Sequence, residues 1–493
     1  MNAALLIIFA FAALALGLGL RAAHGKDMNL EQWTVAGRGF GAIFVFLLMA
    51  GEIYTTFTFL GGSGWAYGRG GPTYYILCYG SLAYILSYWL LPPIWRYARA
   101  HHLISQPHYF RHRYDSPLLG GLVALVGVVA LIPYMVLQLK GLGIIVSTSS
   151  YGSISPDAAI WIGAAIVTAY VMVSGVRGSA WNAVVKDASI LLVVLFLGIF
   201  LPLHFFGGYG AMFSAIDEAK PGFLALPEHG QNVLWFTSSV LLSALGFYMW
   251  PHSFGALYTA RDASVFRKNA IVMPLYQLIL LFVFFVGFAA VLKVPGLKGG
   301  DVDLALFQIS IQTFDPWFVG VIGGVGVLTA LVPGSLILMS AATLFANDLA
   351  APLAGITNPD RIALIARASV PIWALVAVWF AVGGSQTIVA LLLMGYAFVT
   401  QLFPALIASL MPRNPVSTAG AFAGIAAGVG MVALTTTQHL TLTNLLPFLP
   451  SALDDVNIGI AALVLNIVVL VLVSAVVRRP GLETAEPAGR PVQ

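Results

Sequence analysis

Polar side chains interrupt an apolar stretch near the N-terminus, in the sequence GEIYTTF that begins at Gly51. Gly51, Tyr54, Thr55 and Thr58 follow the spacing i, i+3, i+4 and i+7, which places them on one face of a helix. Glu52 lies among them, and a lone carboxylate inside a bilayer is costly, so we expect it to be paired or protonated. A carboxyl that exchanges a proton there suits proton coupling; the alternative is a structural hydrogen-bond acceptor.

Other charged or titratable residues lie in apolar sequence further along the chain. Lys140 has three interpretations: it pairs with Glu52, contacts a substrate, or extends its amine to the membrane surface. His252 is a candidate gating or proton-relay residue because histidine titrates near neutrality, and the alternative is that it caps interrupted backbone. Lys186 and Asp187 in VVKDAS are predicted to anchor a helix end at the inner membrane surface.

The remaining patterns exclude several classes of enzyme. The glycine-rich GGSGWAYGRGG lacks the strand and the Lys-Ser/Thr pair of a nucleotide-binding loop. No His, Cys and Asp residues have metal-ligand spacing, and the single cysteine, Cys78, cannot form an internal disulfide. No nucleophile and base are paired. We therefore predict a protein that is not an enzyme and needs no cofactor, and that either draws energy from an ion gradient or is passive.

The composition indicates what holds these residues. The chain has 493 residues, of which 59% are hydrophobic and 9% charged, against roughly 25% charged in soluble proteins. Stretches long enough to cross about 30 Å of hydrocarbon predict an all-α integral membrane protein with thirteen transmembrane helices. These spans, numbered in order, cover 3–20, 39–62, 73–95, 118–147, 157–176, 187–206, 231–256, 269–293, 316–346, 362–382, 386–411, 415–436 and 456–477.

The distribution of lysine and arginine predicts the orientation of the spans. With the N-terminus outside, 18 of the 23 basic residues fall in cytoplasmic segments, as the positive-inside rule requires. The C-terminus is then cytoplasmic. The first span lacks a positively charged start and is expected to be retained rather than cleaved as a signal peptide. We expect a multi-pass protein of a bacterial inner (plasma) membrane.

Two spans contain helix-breaking residues in related positions. Span 2 is interrupted at Gly51, and span 7 at Gly246 and Pro251. Each opens a run of five spans, 2–6 and 7–11, that cross the bilayer in opposite senses, which is typical of an inverted-repeat transporter with its site at the midplane. The predicted divisions are 1–38 for the first span and loop, 39–206 and 207–411 for the two repeats, and 412–493 for two peripheral spans and a short tail.

Several motifs resemble the solute:sodium symporter family, most closely its bacterial monocarboxylate permease branch, which carries lactate, pyruvate and related acids. They are FLGGSGWAYGRGG, YMVLQLKGLG, VVKDAS, MWPHSFGALYTARD and the run from ALVP to SAATLFAND. The resemblance covers nearly the whole chain. It implies a LeuT-like fold with a 5+5 inverted repeat, in which spans 2–11 form the core.

The resemblance also implies where a coupling ion would bind. The family's sodium site takes backbone carbonyls that match Gly51 and Tyr54, and three positions of span 9 that match Thr329, Val332 and Pro333. The last two are hydroxyl residues in the family, whereas valine and proline offer no side-chain oxygen. This departure favours H+ over Na+ as the coupling ion, with Glu52 as the carboxyl that carries the proton.

The expected substrate cavity combines both broken spans with span 11. Its predicted lining is Glu52, Thr55, Thr58, Ser243, Gly246, Phe247, Trp250 and Tyr396. Threonine hydroxyls and the N–H groups at a half-helix start are expected to bind a carboxylate. Trp250 and Phe247 would cover the apolar part of the substrate.

These observations predict a secondary active symporter that imports small monocarboxylates such as lactate or pyruvate by alternating access. One alternative is a sodium-coupled symporter for another solute, such as an amino acid, acetate or pantothenate. Another is a transport-like membrane sensor, although the tail after Arg479 has no room for a kinase. The expected partners are a small carboxylate and the lipid bilayer, and no nucleic acid.

Overall fold

The structure is a computed structural model that describes residues 3–24, 29–51 and 53–477. Within these ranges the chain is helical, and the only β-type pairing is an isolated bridge between Phe40 and Ala260. The helices of the spans are Ala3–Ala23; Ala42–Ala50, Phe57–Gly62 and Ser63–Arg69; Tyr75–Ala100; Pro117–Ser149; Pro156–Phe206; Val233–Gly246 and Pro251–Tyr258; Ser264–Gln277 and Leu280–Ala290; Pro316–Thr343, continued by Leu344–Ala350 and Ala351–Ala354; Pro359–Ala381; Ile388–Val399 and Phe403–Leu410; Thr418–Gln438; and Ile458–Val476.

The described residues contain ten helices long and apolar enough to cross a membrane, or eleven if the bent pair of span 7 counts as one span. The predicted total of thirteen includes two spans that this measure does not count. Span 2 is divided into pieces that are each too short, and the apolar helix of span 5, Pro156–Met172, is shorter than a full crossing. The total and the orientation therefore stay predictions.

The predicted interruption of span 7 is confirmed. Its two helices meet at a bend of 49°, where Trp250 has extended backbone and Pro251 begins the second helix. A proline has no N–H to continue a helix, and its ring disfavours helical backbone at the preceding residue. Local sequence therefore explains both the end of one helix and the start of the next.

Spans 5 and 6 join without an intervening loop. They form one helical segment, Pro156–Phe206, broken at Gly175, whose φ of 55° and ψ of −163° suit glycine rather than a residue with a side chain. Lys186 and Asp187 lie 11 and 12 residues past this break, at ~16–18 Å along the helix. They are therefore well inside span 6 and not at its start.

Span 9 lies at the centre of the bundle. Its most apolar window is 94% buried within the protein, and it packs against spans 1, 4 and 6. Spans 12 and 13 pack on each other at the periphery and leave most of their surface for lipid. Both broken spans contact this central helix: Pro251–Tyr258 of span 7 packs on it, and the Phe59 ring of span 2 lies against Gly326.

Candidate functional site

The break in span 2 begins where the helix Ala42–Ala50 ends, at Gly51. Glu52 lies outside the described residues. Beyond it, the hydroxyls of Thr55 and Thr58 turn onto nearby backbone: Thr55 Oγ1 accepts from the N–H of Phe57 at 3.0 Å, and Thr58 Oγ1 donates to the Thr55 carbonyl at 3.1 Å. These bonds satisfy backbone groups that an interrupted helix leaves without partners. Among the described residues no acceptor is assigned to the hydrogen of the Thr55 hydroxyl.

Two side chains anchor this broken segment to its neighbours. Thr56 Oγ1 donates to Gln138 Oε1 of span 4 at 2.7 Å, with both residues buried. Tyr54 donates its hydroxyl to the carbonyl of Tyr276 in span 8 at 2.6 Å, and their rings lie 4.6 Å apart. The position of the break is therefore fixed from two sides.

A buried lysine reaches the same segment from span 6. The Lys186 ammonium donates to the carbonyl of Tyr54 at 3.1 Å and lies 2.9 Å from Asp187 Oδ1. The side chains of Lys186 and Asp187 are 0% and 4% exposed. The prediction that this pair anchors span 6 at the membrane surface is wrong, because span 6 begins well before them, at Gly175.

The positions of span 9 that match the family's sodium site are buried, and only one of them offers a side-chain oxygen. The hydroxyl of Thr329 donates to the carbonyl of Gly326 in its own helix at 2.6 Å. Val332 and Pro333 present hydrocarbon. The hydroxyl nearest to them in sequence, Ser335, donates to the Val332 carbonyl at 2.6 Å and lies 2.7 Å from the Ser179 hydroxyl of span 6.

The break in span 7 packs against span 11. A Cβ added at Gly246 would lie 2.1 Å from Thr400 Oγ1 and 3.0 Å from the Tyr396 ring, so only glycine allows this approach. Ser243, one turn earlier, is fully buried. Among the described residues its hydroxyl has no hydrogen-bond partner, and the same holds for the indole N–H of Trp250.

Around this break lies a group of rings that we call the aromatic cluster, comprising Tyr79, Tyr134, Phe247, Trp250 and Tyr396. The Trp250 ring centre lies 4.8 Å from that of Tyr134 and 5.3 Å from that of Tyr396. Tyr79 lies 5.7 Å from Tyr396 and 6.4 Å from Phe247. At these separations the rings touch. Three of the predicted lining residues, Phe247, Trp250 and Tyr396, are thus brought together in a closed arrangement.

Gly395 allows the indole of Trp250 to lie against span 11. A Cβ at this position would be 2.4 Å from the indole Cη2 and 3.2 Å from the carbonyl of Ala130. A larger residue would therefore displace Trp250 from the aromatic cluster.

His252 lies just beyond the aromatic cluster. Its ring centre is 5.3 Å from that of Tyr134 and 5.8 Å from that of Trp250, and among the described residues its Nδ1 has no hydrogen-bond partner. It borders a cavity of about 20 Å³, which is room for about one water molecule. The cavity's polar lining includes Thr34, Ser105, His252, Ser340 and Thr343. An open cleft of about 970 Å³ at the end predicted to be cytoplasmic shares the lining residue Ile104 with this cavity.

Lys140 lies in a polar cluster that we call the outer clasp, formed by Lys140, Asp303, Gln386 and Ile388. Its ammonium is 3.5 Å from Asp303 Oδ2 and donates to the carbonyl of Gln386. Asp303 Oδ2 also accepts from the N–H of Ile388, the first residue of span 11, at 2.9 Å. Asp303 is therefore the carboxylate that the structure pairs with Lys140. Burial raises the pKa of Asp303 to about 6, against the opposing effect of Lys140.

Sequence reasoning missed three residues that the site brings in: Thr56, Tyr79 and Asp303. Thr56 stood beside the predicted helical face, and Tyr79 had only its position in an apolar span as a signal. Asp303 lies in a short 3-10 helix, Gly299–Leu304, between spans 8 and 9, and so short an element gives no periodic pattern. The motif VVKDAS did single out Lys186, but its depth was misjudged.

Comparisons with known proteins identify relatives of the chain. The model of the sodium:solute symporter family matches residues 33–428. The chain is 63% identical over 488 residues to the uncharacterized symporter YhjB of Bacillus subtilis (strain 168), covering 99% of this chain and 100% of that one. It is 29% identical over 464 residues to a protein named monocarboxylate transport permease in Rhizobium johnstonii, covering 91% and 90%.

A solved structure supports the fold. A Na+-coupled sialic acid symporter in a substrate-bound, outward-open state matches with a TM-score of 0.79 over 100% of both chains, at 14% identity. At this identity the likeness concerns the fold alone, and it confirms the predicted LeuT-like transporter architecture. The bacterial relatives and ten apolar helices make this a multi-pass transporter of the bacterial plasma membrane, not an enzyme. The chain belongs to the sodium:solute symporter family.

Proposed function

We propose that this secondary symporter imports small monocarboxylates, such as lactate or pyruvate, together with protons by alternating access. The Rhizobium johnstonii relative, named a monocarboxylate transport permease, supports this class of substrate because it is similar over 91% of the chain. The family match supports symport in general, and the substrate and the coupling ion are the finer proposal.

The observation that carries the proposal is a pair of unused donors at the break in span 7. The hydroxyl of Ser243 and the indole N–H of Trp250 are buried and, among the described residues, have no hydrogen-bond partner. A buried donor without an acceptor costs about 1–3 kcal/mol. A carboxylate is an acceptor that both donors favour, and the rings of Phe247 and Tyr396 suit the short apolar part of a lactate or pyruvate molecule.

Alternating access accounts for the closed aromatic cluster. The rings touch, so a substrate enters only when spans 7 and 11 separate. The proposed route from the cluster to the end predicted to be cytoplasmic runs through the small cavity beside His252 and the open cleft, which share the lining residue Ile104. The cavity has room for about one water molecule and would have to widen to pass a substrate. His252 borders this route, which fits the proposed gating role.

Proton coupling is favoured by the residues at the break in span 2. Val332 and Pro333 provide no side-chain oxygen for sodium, while Glu52, beside Gly51, is the one acidic residue in span 2. We propose that Glu52 is protonated when the anion binds and releases its proton on the cytoplasmic side. Thr55, whose hydroxyl hydrogen has no assigned acceptor among the described residues, is the proposed further donor to the substrate.

The test is uptake of labelled lactate and pyruvate into proteoliposomes at fixed voltage, driven by an inward proton gradient or an inward sodium gradient. We expect the proton gradient alone to drive accumulation, and Glu52→Gln to abolish that accumulation. Trp250→Phe keeps a ring and removes the N–H, so we expect KM to rise about tenfold for the loss of one hydrogen bond to a charged group.

Trp379→Phe is the matched control, because Trp379 is 81% exposed on span 10. Its KM should stay unchanged. Equal accumulation with either gradient in the wild type and in Glu52→Gln would rule out the proton-coupling role of Glu52. Uptake of an amino acid or pantothenate in place of both acids would rule out the proposed substrate.

A further inference from the structure

The family to which this chain belongs implies a sodium ion at the break in span 2, but span 9 does not supply the pair of hydroxyl ligands that the family's site takes from it. Sodium is a hard cation that binds oxygen ligands. Of the span 9 positions that correspond to the family's ligands, Val332 and Pro333 have hydrocarbon side chains, and the hydroxyl of Thr329 donates to Gly326. The ligand set therefore lacks its hydroxyl pair.

A second feature is the cation already present at the same backbone. The Lys186 ammonium donates to the Tyr54 carbonyl at 3.1 Å, and Tyr54 is one of the two residues whose carbonyls the family uses for sodium. A Cβ at Gly51, the other of these residues, would lie 3.0 Å from Lys186 Nζ. The ammonium thus lies against both residues of span 2 that would otherwise hold the ion.

The charge of this ammonium is balanced within span 6. Asp187 Oδ1 lies 2.9 Å from Lys186 Nζ, and both side chains are almost completely buried. A buried ammonium without a counter-charge would be strongly destabilising, whereas a close pair is tolerated. Because the two residues are adjacent in one helix, the counter-charge of the ammonium belongs to the same element as the ammonium itself.

We infer that the Lys186 ammonium takes the place of the sodium ion in this chain. It is a tethered cation that binds the carbonyl end of the broken span 2 to span 6, and it excludes sodium. Two positive charges near one carbonyl in a buried site repel each other far more strongly than they would in water. The inference rests on the proposed function, because it identifies what replaces sodium in a symporter driven by protons. The site itself can be tested without any substrate.

The experiment is equilibrium binding of ²²Na⁺ to the purified full-length protein in detergent. Three forms are compared: the wild type, Val332→Ser/Pro333→Ser, and the same double variant with Lys186→Ala. We expect no saturable binding to the first two, because the ammonium is present in both. The third form has the hydroxyl pair and an uncompensated Asp187, so we expect it to bind ²²Na⁺ saturably.

Saturable ²²Na⁺ binding by the wild type, or by the double variant that retains Lys186, would overturn the inference. So would a well-folded third form that binds none, because something other than the ammonium would then exclude sodium. Lys140→Ala in the double variant is the matched control, since it removes a paired lysine of the outer clasp. It should remain without sodium binding.

If the third form does not elute as a single species in size-exclusion chromatography, an uptake measurement on the wild type replaces the binding measurement. Replacing all sodium by N-methylglucamine should leave its uptake unchanged, and a tenfold loss would overturn the inference. Failure to take up lactate or pyruvate refutes the proposed cargo and leaves the sodium-binding result intact. Sodium binding by the wild type refutes the tethered cation whatever the cargo is.

Discussion

At the scale of single residues, Asp303 joins span 4 to the start of span 11 through one carboxylate oxygen. Its Oδ2 lies 3.5 Å from Lys140 Nζ of span 4 and accepts from the N–H of Ile388 at the start of span 11. Apart from Lys140, the charged residue that acts on it is Asp301, which is exposed and raises its pKa further. Burial remains the largest effect.

The raised pKa of Asp303 predicts a pH dependence of stability. Between about pH 4 and pH 6 the folded chain keeps a proton on this carboxyl that the unfolded chain has released, since the pKa is about 6 in the fold. The free energy of unfolding therefore falls as the pH rises through this window and levels off above it. We expect this contribution to be absent in Asp303→Asn, as measured by thermal unfolding from pH 4 to 7.5.

The exposed neighbour Asp301 provides the control for this measurement. Asp301→Asn should keep most of the wild-type slope between pH 4 and pH 6, because burial of Asp303, the largest cause of its raised pKa, is unchanged and only the smaller effect of Asp301 is lost. An identical slope in the wild type and in Asp303→Asn would mean that this carboxyl does not titrate in the window.

Residue identity predicted chemistry better than it predicted contacts. The Thr55 and Thr58 spacing marked a polar segment correctly, but their hydroxyls bond local backbone. Lys186 was assigned to the membrane surface because apolar residues alone do not mark where a helix enters the bilayer. The partners of a buried polar side chain lie on other helices, and a single sequence contains no record of which helices meet.

At the scale of elements, Thr56 holds span 2 against span 4 through buried hydrogen bonds, of which the shorter is to Gln138. Thr56 Oγ1 donates to Gln138 Oε1 at 2.7 Å, and a Cβ on Gly141 would lie only 2.5 Å from Thr56. The broken segment is thus held closely against span 4 by both a polar contact and the absence of a side chain.

Removing that hydrogen bond should destabilise the protein. Thr56→Val keeps the shape of the side chain and leaves the side-chain oxygen Oε1 of Gln138 buried without this donor. The loss should lower the free energy of unfolding by about 1–3 kcal/mol. We expect a lower midpoint of thermal unfolding in detergent. Thr437→Val is the matched control: Thr437 is exposed and bonds only within its own helix, so its midpoint should not change. Equal midpoints for both variants would show that the Thr56–Gln138 bond contributes little.

The helices themselves could largely be predicted, because about 20 apolar residues are needed to cross the hydrocarbon and charged loops separate such stretches. The interruption of span 7 also followed from Gly246 and Pro251. The joining of spans 5 and 6 through Gly175 did not, since one glycine among apolar residues does not distinguish a sharp break from a continuous helix.

At the scale of the whole molecule, the orientation in the membrane is still a prediction that rests on its basic loops. It can be tested with single cysteines in a Cys78→Ala background. Lys298→Cys and Arg413→Cys both place the thiol at exposed positions, on opposite predicted sides. With the N-terminus outside, a membrane-impermeant maleimide on intact cells should label the first and not the second. Labelling of the second cysteine and not the first would show that the protein has the opposite orientation.

The buried ammonium of Lys186 also has an electrical consequence. A sodium ion carried across the membrane moves one charge through the membrane potential, which is worth about 2.3 kcal/mol per 100 mV. An ammonium bonded to the Tyr54 carbonyl belongs to the chain and returns with it in every cycle. Its site therefore contributes no net current, and a monocarboxylate anion entering with one proton would make the whole cycle electrically silent.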